Sequence, residues 1–138
     1  GDKPFTISYF KDKGLGLNIT DQSLSTPLHW ACLMNSFVSV HYFLAYGANL
    51  NLQDRRGNTP LHLAVKAARQ AQSDYLVGKL IMKGADRSIR NIDGRRPIDL
   101  VYDPEATIMM GEDLVASLTN MLVIIPYILM YVLATEIR

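Results

Sequence analysis

One cysteine in 138 residues excludes an internal disulfide framework and leaves nothing from which to build a cysteine-rich metal site. Cys32 is expected to be a small core residue. The three histidines offer no third ligand at suitable spacing, so no metal and no other cofactor is expected. The chain also lacks a glycine-rich phosphate loop, a nucleophile in a recognised elbow, and a histidine or carboxylate cluster at motif spacing. No catalytic residue is therefore assigned, and enzymatic activity is not expected of this chain. A basic leader followed by a short apolar run and a cleavage site is absent, which favours an intracellular setting over secretion.

What the chain does contain is repetition. Thr26-Pro27-Leu28-His29 and Thr59-Pro60-Leu61-His62 stand 33 residues apart inside a longer shared frame. Asp21, Ala31, Val40, Gly47, Ala48, Asn49 and Asn51 occupy the slots taken by Asp54, Ala64, Val77, Gly84, Ala85, Asp86 and Ser88 in the next unit. Beyond the second motif the spacing widens to 37, as between Gly47 and Gly84, so four residues are inserted between Ala67 and Gln72. Arg96-Pro97-Ile98-Asp99 holds the motif position of a third unit. Tyr9, Phe10, Gly14 and Asn18, each 33 residues before its counterpart, mark a partial unit at the start.

Each unit reads as helix, turn, helix, loop. Thr26 and Thr59 are placed to cap a helix through their hydroxyls, with Pro27 and Pro60 at the first helical position, where a missing amide hydrogen costs nothing. Leu28, Ala31 and Cys32, then Leu61, Ala64 and Val65, recur at helical spacing and face the neighbouring unit. A second helix carries Val40, Phe43 and Leu44, or Val77, Leu80 and Ile81, and ends at Gly47 or Gly84. The stretches from Asn49 to Asn58 and from Asp86 to Arg95 have the composition of projecting hairpin-like loops. His29 and His62 are expected to tie helix to loop, each imidazole bonding the threonine hydroxyl and the adjacent loop backbone. The inserted segment, Lys66 to Ser73, is rich in helix formers and adds about one helical turn. It either lengthens the inner helix, projecting Arg69 and Gln70 beyond the repeat ends, or lengthens the inter-helix loop.

This period and motif resemble the ankyrin repeat. The resemblance implies an all-α ankyrin-repeat solenoid with projecting loops and a C-terminal helical cap, acting as a protein-binding surface. The units run over residues 1–20 (partial), 21–53, 54–90 (with the insertion) and 91–138 (terminal unit and apolar cap).

Net charge is only +1, but unevenly spread: residues 54–99 hold ten Lys and Arg against five carboxylates (+5), whereas residues 100–138 hold one Arg against five carboxylates (−4). Arg55, Arg56, Arg87, Arg90, Arg95 and Arg96 concentrate the positive charge in the loops. Such a region attracts an acidic peptide or an anionic lipid surface, or is simply solvated loop charge. Nucleic acid is not expected as a partner, because aromatic residues are not interleaved with the arginines as a base-stacking platform requires.

In ankyrin domains the contact positions are the loop tips and the exposed turn of the inner helix, which line the concave face. Carried through the motif, these are Gln22, Ser23, Ser25, Leu33 and Met34, then Arg55, Arg56, Asn58, Lys66 and Ala67, then Ile92, Asp93, Arg95 and Tyr102. Leu33 and Met34 are unusual as merely solvated residues and suit either an apolar peptide side chain or packing against the inserted segment.

The string Ser25-Thr26-Pro27-Leu28-His29-Trp30-Ala31-Cys32, followed by Gly57 to Lys66, Lys83-Gly84-Ala85-Asp86 and Arg96 to Leu100, resembles the ankyrin region of the DHHC palmitoyltransferases of the huntingtin-interacting kind, over roughly residues 9–102. In that family the repeats recruit protein substrates while a separate membrane domain, with an Asp-His-His-Cys motif absent from this sequence, transfers the acyl group. The resemblance implies a recruitment module on the cytosolic face of a parent protein embedded in the Golgi or other endomembranes, with Trp30 lining a substrate-peptide pocket. Trp30 also reads as an inter-repeat packing residue. The competing class is a stand-alone regulatory or scaffolding ankyrin protein.

From Leu114 to Ala134 run 21 residues without a charge, enough to cross a bilayer. Against a span, Leu114, Leu118, Met121, Leu122 and Ile125 make a helical stripe beside Glu112 and Asp113, as expected of a cap on the last repeat or of a homodimer contact. Membrane attachment is then expected only through the parent protein.

Overall fold

The computed structural model describes residues 16–124, which form seven α-helices and one π-helical turn, with no strand among the described residues. Helices α1 (Pro27–Leu33) and α2 (Phe37–Ala45) make the first hairpin, and α3 (Pro60–Ala71) and α4 (Tyr75–Met82) make the second. The third layer begins with α5 (Pro97–Val101) and α6 (Pro104–Met110), and returns through α7 (Glu112–Thr119) into the π turn Asn120–Ile124. Tyr9, Phe10 and Gly14 of the partial first unit, and Ile125 with the rest of the apolar tail, lie outside the described residues.

The inner helices start as their sequence requires. Thr26 Oγ1 accepts the His29 amide, while His29 Nδ1 accepts the Thr26 amide at 3.0 Å; Thr59 and His62 repeat the arrangement, with Nδ1 receiving the Thr59 amide at 3.1 Å. Proline takes the first helical position in both. Because Nδ1 accepts, the imidazole hydrogen sits on Nε2, which donates across the layer to the next loop: His29 to the Asn58 carbonyl and His62 to the Arg95 carbonyl, both at 2.9 Å. Both rings are fully buried. The expected structural role of the histidines is thus what the geometry shows.

The four inserted residues lengthen the inner helix: α3 has 12 residues where α1 has 7. The added turn does not project bare. The third layer's inner segment is correspondingly long and packs along α3 with both of its pieces, α5 and α6, which are separated where Pro104 starts a fresh helix. Ala67 and Ala68 are buried, Arg69 is half-buried, and Gln70 and Ala71 at the helix end are exposed. Gln72 ends the helix in the left-handed region at φ 50° and donates its side-chain amide to the Met109 carbonyl at 3.0 Å.

One core runs the length of the stack. It joins Leu28, Cys32, Val40 and Phe43 to Leu61, Val65, Val77 and Leu80, and continues into Val101, Met110, Leu118 and Leu122. Burial pushes the Cys32 thiol far above the usual thiol range, so it is an inert core side chain. From the stripe foreseen at the C-terminal end, Leu118 and Leu122 are buried and Leu114 and Met121 half-buried against this core. Three polar ties hold that end: Arg87 donates to the Leu122 carbonyl, Ser117 to the Asp74 carboxylate, and Tyr102 shares a hydrogen bond with Thr119. No helix among the described residues is long and apolar enough to cross a membrane.

Candidate functional site

The loops that carry most of the foreseen contact residues are built to one plan. Asp21, Asp54 and Asn91 each use Oδ1 to accept two backbone amides, from the residues two and four positions on. Each loop is then hydrogen-bonded to the next through equivalent groups, Arg55 N–H to the Ser23 carbonyl at 2.9 Å and Ile92 N–H to the Arg56 carbonyl at 3.0 Å. Gly57 sits at this junction with φ 77°, and a Cβ there would lie 2.8 Å from the Ile92 nitrogen. A side chain is excluded by both the backbone angle and the neighbouring loop.

The loops and inner helices bring most of the predicted residues together. Ser23, Ser25, Trp30, Leu33, Arg55, Arg56, Asn58 and Lys66 line a single cleft of about 330 Å³ between α1 and α3. Its wall is mainly carbon, with Leu63 as a further apolar member. Trp30 is 46% exposed, and its indole N–H donates to Asp21 Oδ2 at 2.8 Å. Asp21 also accepts from the Ser23 hydroxyl and the Ser23 and Ser25 amides, and these hydrogen bonds, the Ser23 hydroxyl's foremost, hold its carboxyl down at about 2. The ring is therefore fixed in orientation without being packed away. Leu33, 43% exposed, faces the same space.

A second, smaller cleft of about 160 Å³ lies one layer on, between α3 and the third layer. Arg56, Asn58 and Lys66 belong to both clefts; Arg69, Asn91 and Arg95 belong to this one. Arg55 is committed to structure, donating to the Gln22 carbonyl at 2.7 Å, and Arg96 pairs with Asp99 at 3.2 Å.

Five foreseen positions fall elsewhere. Ile92 is exposed in its loop and lines neither cleft. Gln22 contributes only its carbonyl, to Arg55. Met34 caps the end of α1 and is exposed away from both cleft linings. Ala67 is buried and so is unavailable to a partner. Tyr102 is exposed but hydrogen-bonded to Thr119, beside α7 rather than beside Trp30. Leu63 and Arg69 were not singled out as contacts. The first had a legible signal, since it stands 33 residues after Trp30 in the same slot; the second depended on how the insertion folds. Among the described residues no group of histidines, cysteines and carboxylates is placed to hold a metal.

Comparison with known families matches residues 2–91, well over half the chain, to ankyrin repeats in three copies. The chain belongs to the ankyrin-repeat family, whose solenoids are protein-interaction modules. No curated protein shows a significant match. The matched span ends before Arg96, yet α5 starts there on the same proline-led plan, with Asp99 Oδ2 accepting the Arg96 amide at 2.8 Å as the imidazoles do in the earlier units.

Proposed function

We propose that the chain recruits a protein by an extended peptide segment, seating an apolar side chain in the cleft between α1 and α3. The observation that carries this is Trp30: a large ring left half in solvent, oriented by Asp21, and facing Leu33 and Leu63 across a mostly carbon-lined cleft. Aromatic residues that are both rigid and exposed are the usual anchors of binding surfaces. The same residue, directly after Thr-Pro-Leu-His, supports a kinship in role with the substrate-recruiting repeats of DHHC palmitoyltransferases, with the acyl-transfer chemistry residing in another domain of the parent.

Selection of a displayed random peptide library on the chain, repeated on W30A, tests the reading. Native protein is expected to enrich a family of related sequences with a fixed aliphatic position, and W30A to lose it while melting as cooperatively as the parent. Equal enrichment on W30A would place the binding surface elsewhere. The exposed Ile108 and Met109 on α6 and Val123 in the π turn support a second reading, a scaffold that self-associates near its C-terminal end. Sedimentation of the chain at rising concentration decides that one, and a monomer throughout ends it.

A further inference from the structure

We propose that the peptide taken up by this module is bipartite, with an acidic residue about three positions from its apolar anchor, seated in the second cleft. This inference rests on the recruitment reading and adds a specificity to it. Four cations, Arg56, Lys66, Arg69 and Arg95, line that cleft. None of their side chains makes a hydrogen bond or ion pair among the described residues, in contrast to Arg55, Arg87, Arg90 and Arg96, which all do. Two carboxylates, Asp93 and Asp103, share the lining, leaving an excess of two positive charges in one concavity. Ordinary solvated arginines point apart on a convex surface, whereas these converge from a helix and two successive loops.

The spacing follows from the repeat. The two clefts flank α3 on opposite sides, and packed helix axes lie about 8–10 Å apart. An extended chain covers that distance in about three residues. Arg56, Asn58 and Lys66 line both clefts and so make the path between them continuous. A peptide that leaves an aliphatic side chain beside Trp30 therefore brings a residue near Arg69 and Arg95 about three positions on. Uncompensated positive charge there selects a carboxylate.

The test is selection of random displayed 12-residue peptides on the native 138-residue chain and on R69E/R95E, two substitutions that touch only the second cleft. The native chain is expected to enrich an aliphatic residue with Asp or Glu about three positions away. The double variant, checked for an unchanged melting midpoint, is expected to keep the aliphatic preference and lose the acidic one. In a synthetic peptide from the native selection, Glu→Gln at that position is expected to raise Kd by up to about fivefold, less at high salt. An aliphatic motif with no acidic preference, or an acidic preference that survives R69E/R95E, overturns the inference and leaves recruitment standing. Failure to enrich any peptide, with or without binding to vesicles containing phosphatidylserine, overturns both.

Discussion

The second and third units solve the same problem with different side chains. At the second, a buried imidazole caps its own helix and also donates across to the Arg95 carbonyl. At the third, Asp99 caps the helix by accepting the Arg96 amide and then turns to the Arg96 guanidinium, in a partly exposed pair. The imidazole is both acceptor and donor, so it can join two layers; a carboxylate only accepts, so its reach stops at its own layer. Stacking needs the first kind of residue wherever another loop follows on that face, and tolerates the second where the repeat pattern gives way to α6 and α7.

The largest effect should come from removing the joint itself. H62A strips a partner from the buried Thr59 amide and from the Arg95 carbonyl and leaves a cavity, and is expected to cost about 3 kcal/mol in denaturant melts. D99A removes one cap at a partly exposed site and is expected to cost about 1 kcal/mol. Equal losses would mean that the cross-layer bond contributes nothing. Between these lies G57A, which forces a side chain into the junction of the second and third loops at positive φ and against the Ile92 nitrogen; about 2 kcal/mol is expected.

Acid separates the two units more finely. Burial lowers the His62 pKa below its ordinary 6.5, because the charged ring loses solvent and its Nδ1 faces a backbone donor. The folded state therefore favours the neutral ring, and stability held above pH 6.5 falls as the pH drops from there toward the lowered value. The Asp99 carboxyl is lowered from 3.8, chiefly by the Arg96 side chain, so its contribution persists to below pH 4 and is lost only as the pH falls through that lower value. Melting midpoints measured from pH 8 to 3 should show a first decline beginning near 6.5 that is absent in H62A, and a later one below pH 4, shared with the lowered carboxyls of Asp21 and Asp86, that is smaller in D99A. A single decline confined to below pH 4 would contradict the buried neutral imidazole.

Most of this architecture was written in short-range patterns. Threonine, proline and histidine at fixed offsets specify a capped helix through contacts within four residues, and the 33-residue period repeats the instruction. The asparagine and aspartate slots announce the loops in the same way, and Asn18 and Asn51 accept from the Asn49 and Asp86 amides as their equivalence implies. Of the candidate site, Trp30, Leu33 and the loop positions were legible because the repeat fixes where a loop tip and a helix turn must face. Ala67 misled because it is buried by tertiary packing, and nothing in its local sequence reports what packs on it. Arg69 was hidden for the same reason: an inserted turn can be loop or helix until a second element covers it.

The sequence by itself determined the repeat, the helix starts, the identity of the core residues and the excess of positive charge in residues 54–99, since all of these follow from propensity, capping and periodicity. Tertiary structure alone decided that α3 would lengthen under a two-piece partner, that Arg55 and Arg96 would be tied down while Arg56, Lys66, Arg69 and Arg95 would be left facing one cleft, and that Trp30 would be held open to solvent. Those outcomes depend on which layer lies next to which, and a charge or a ring becomes available to a partner only after the neighbouring layer has taken what it needs.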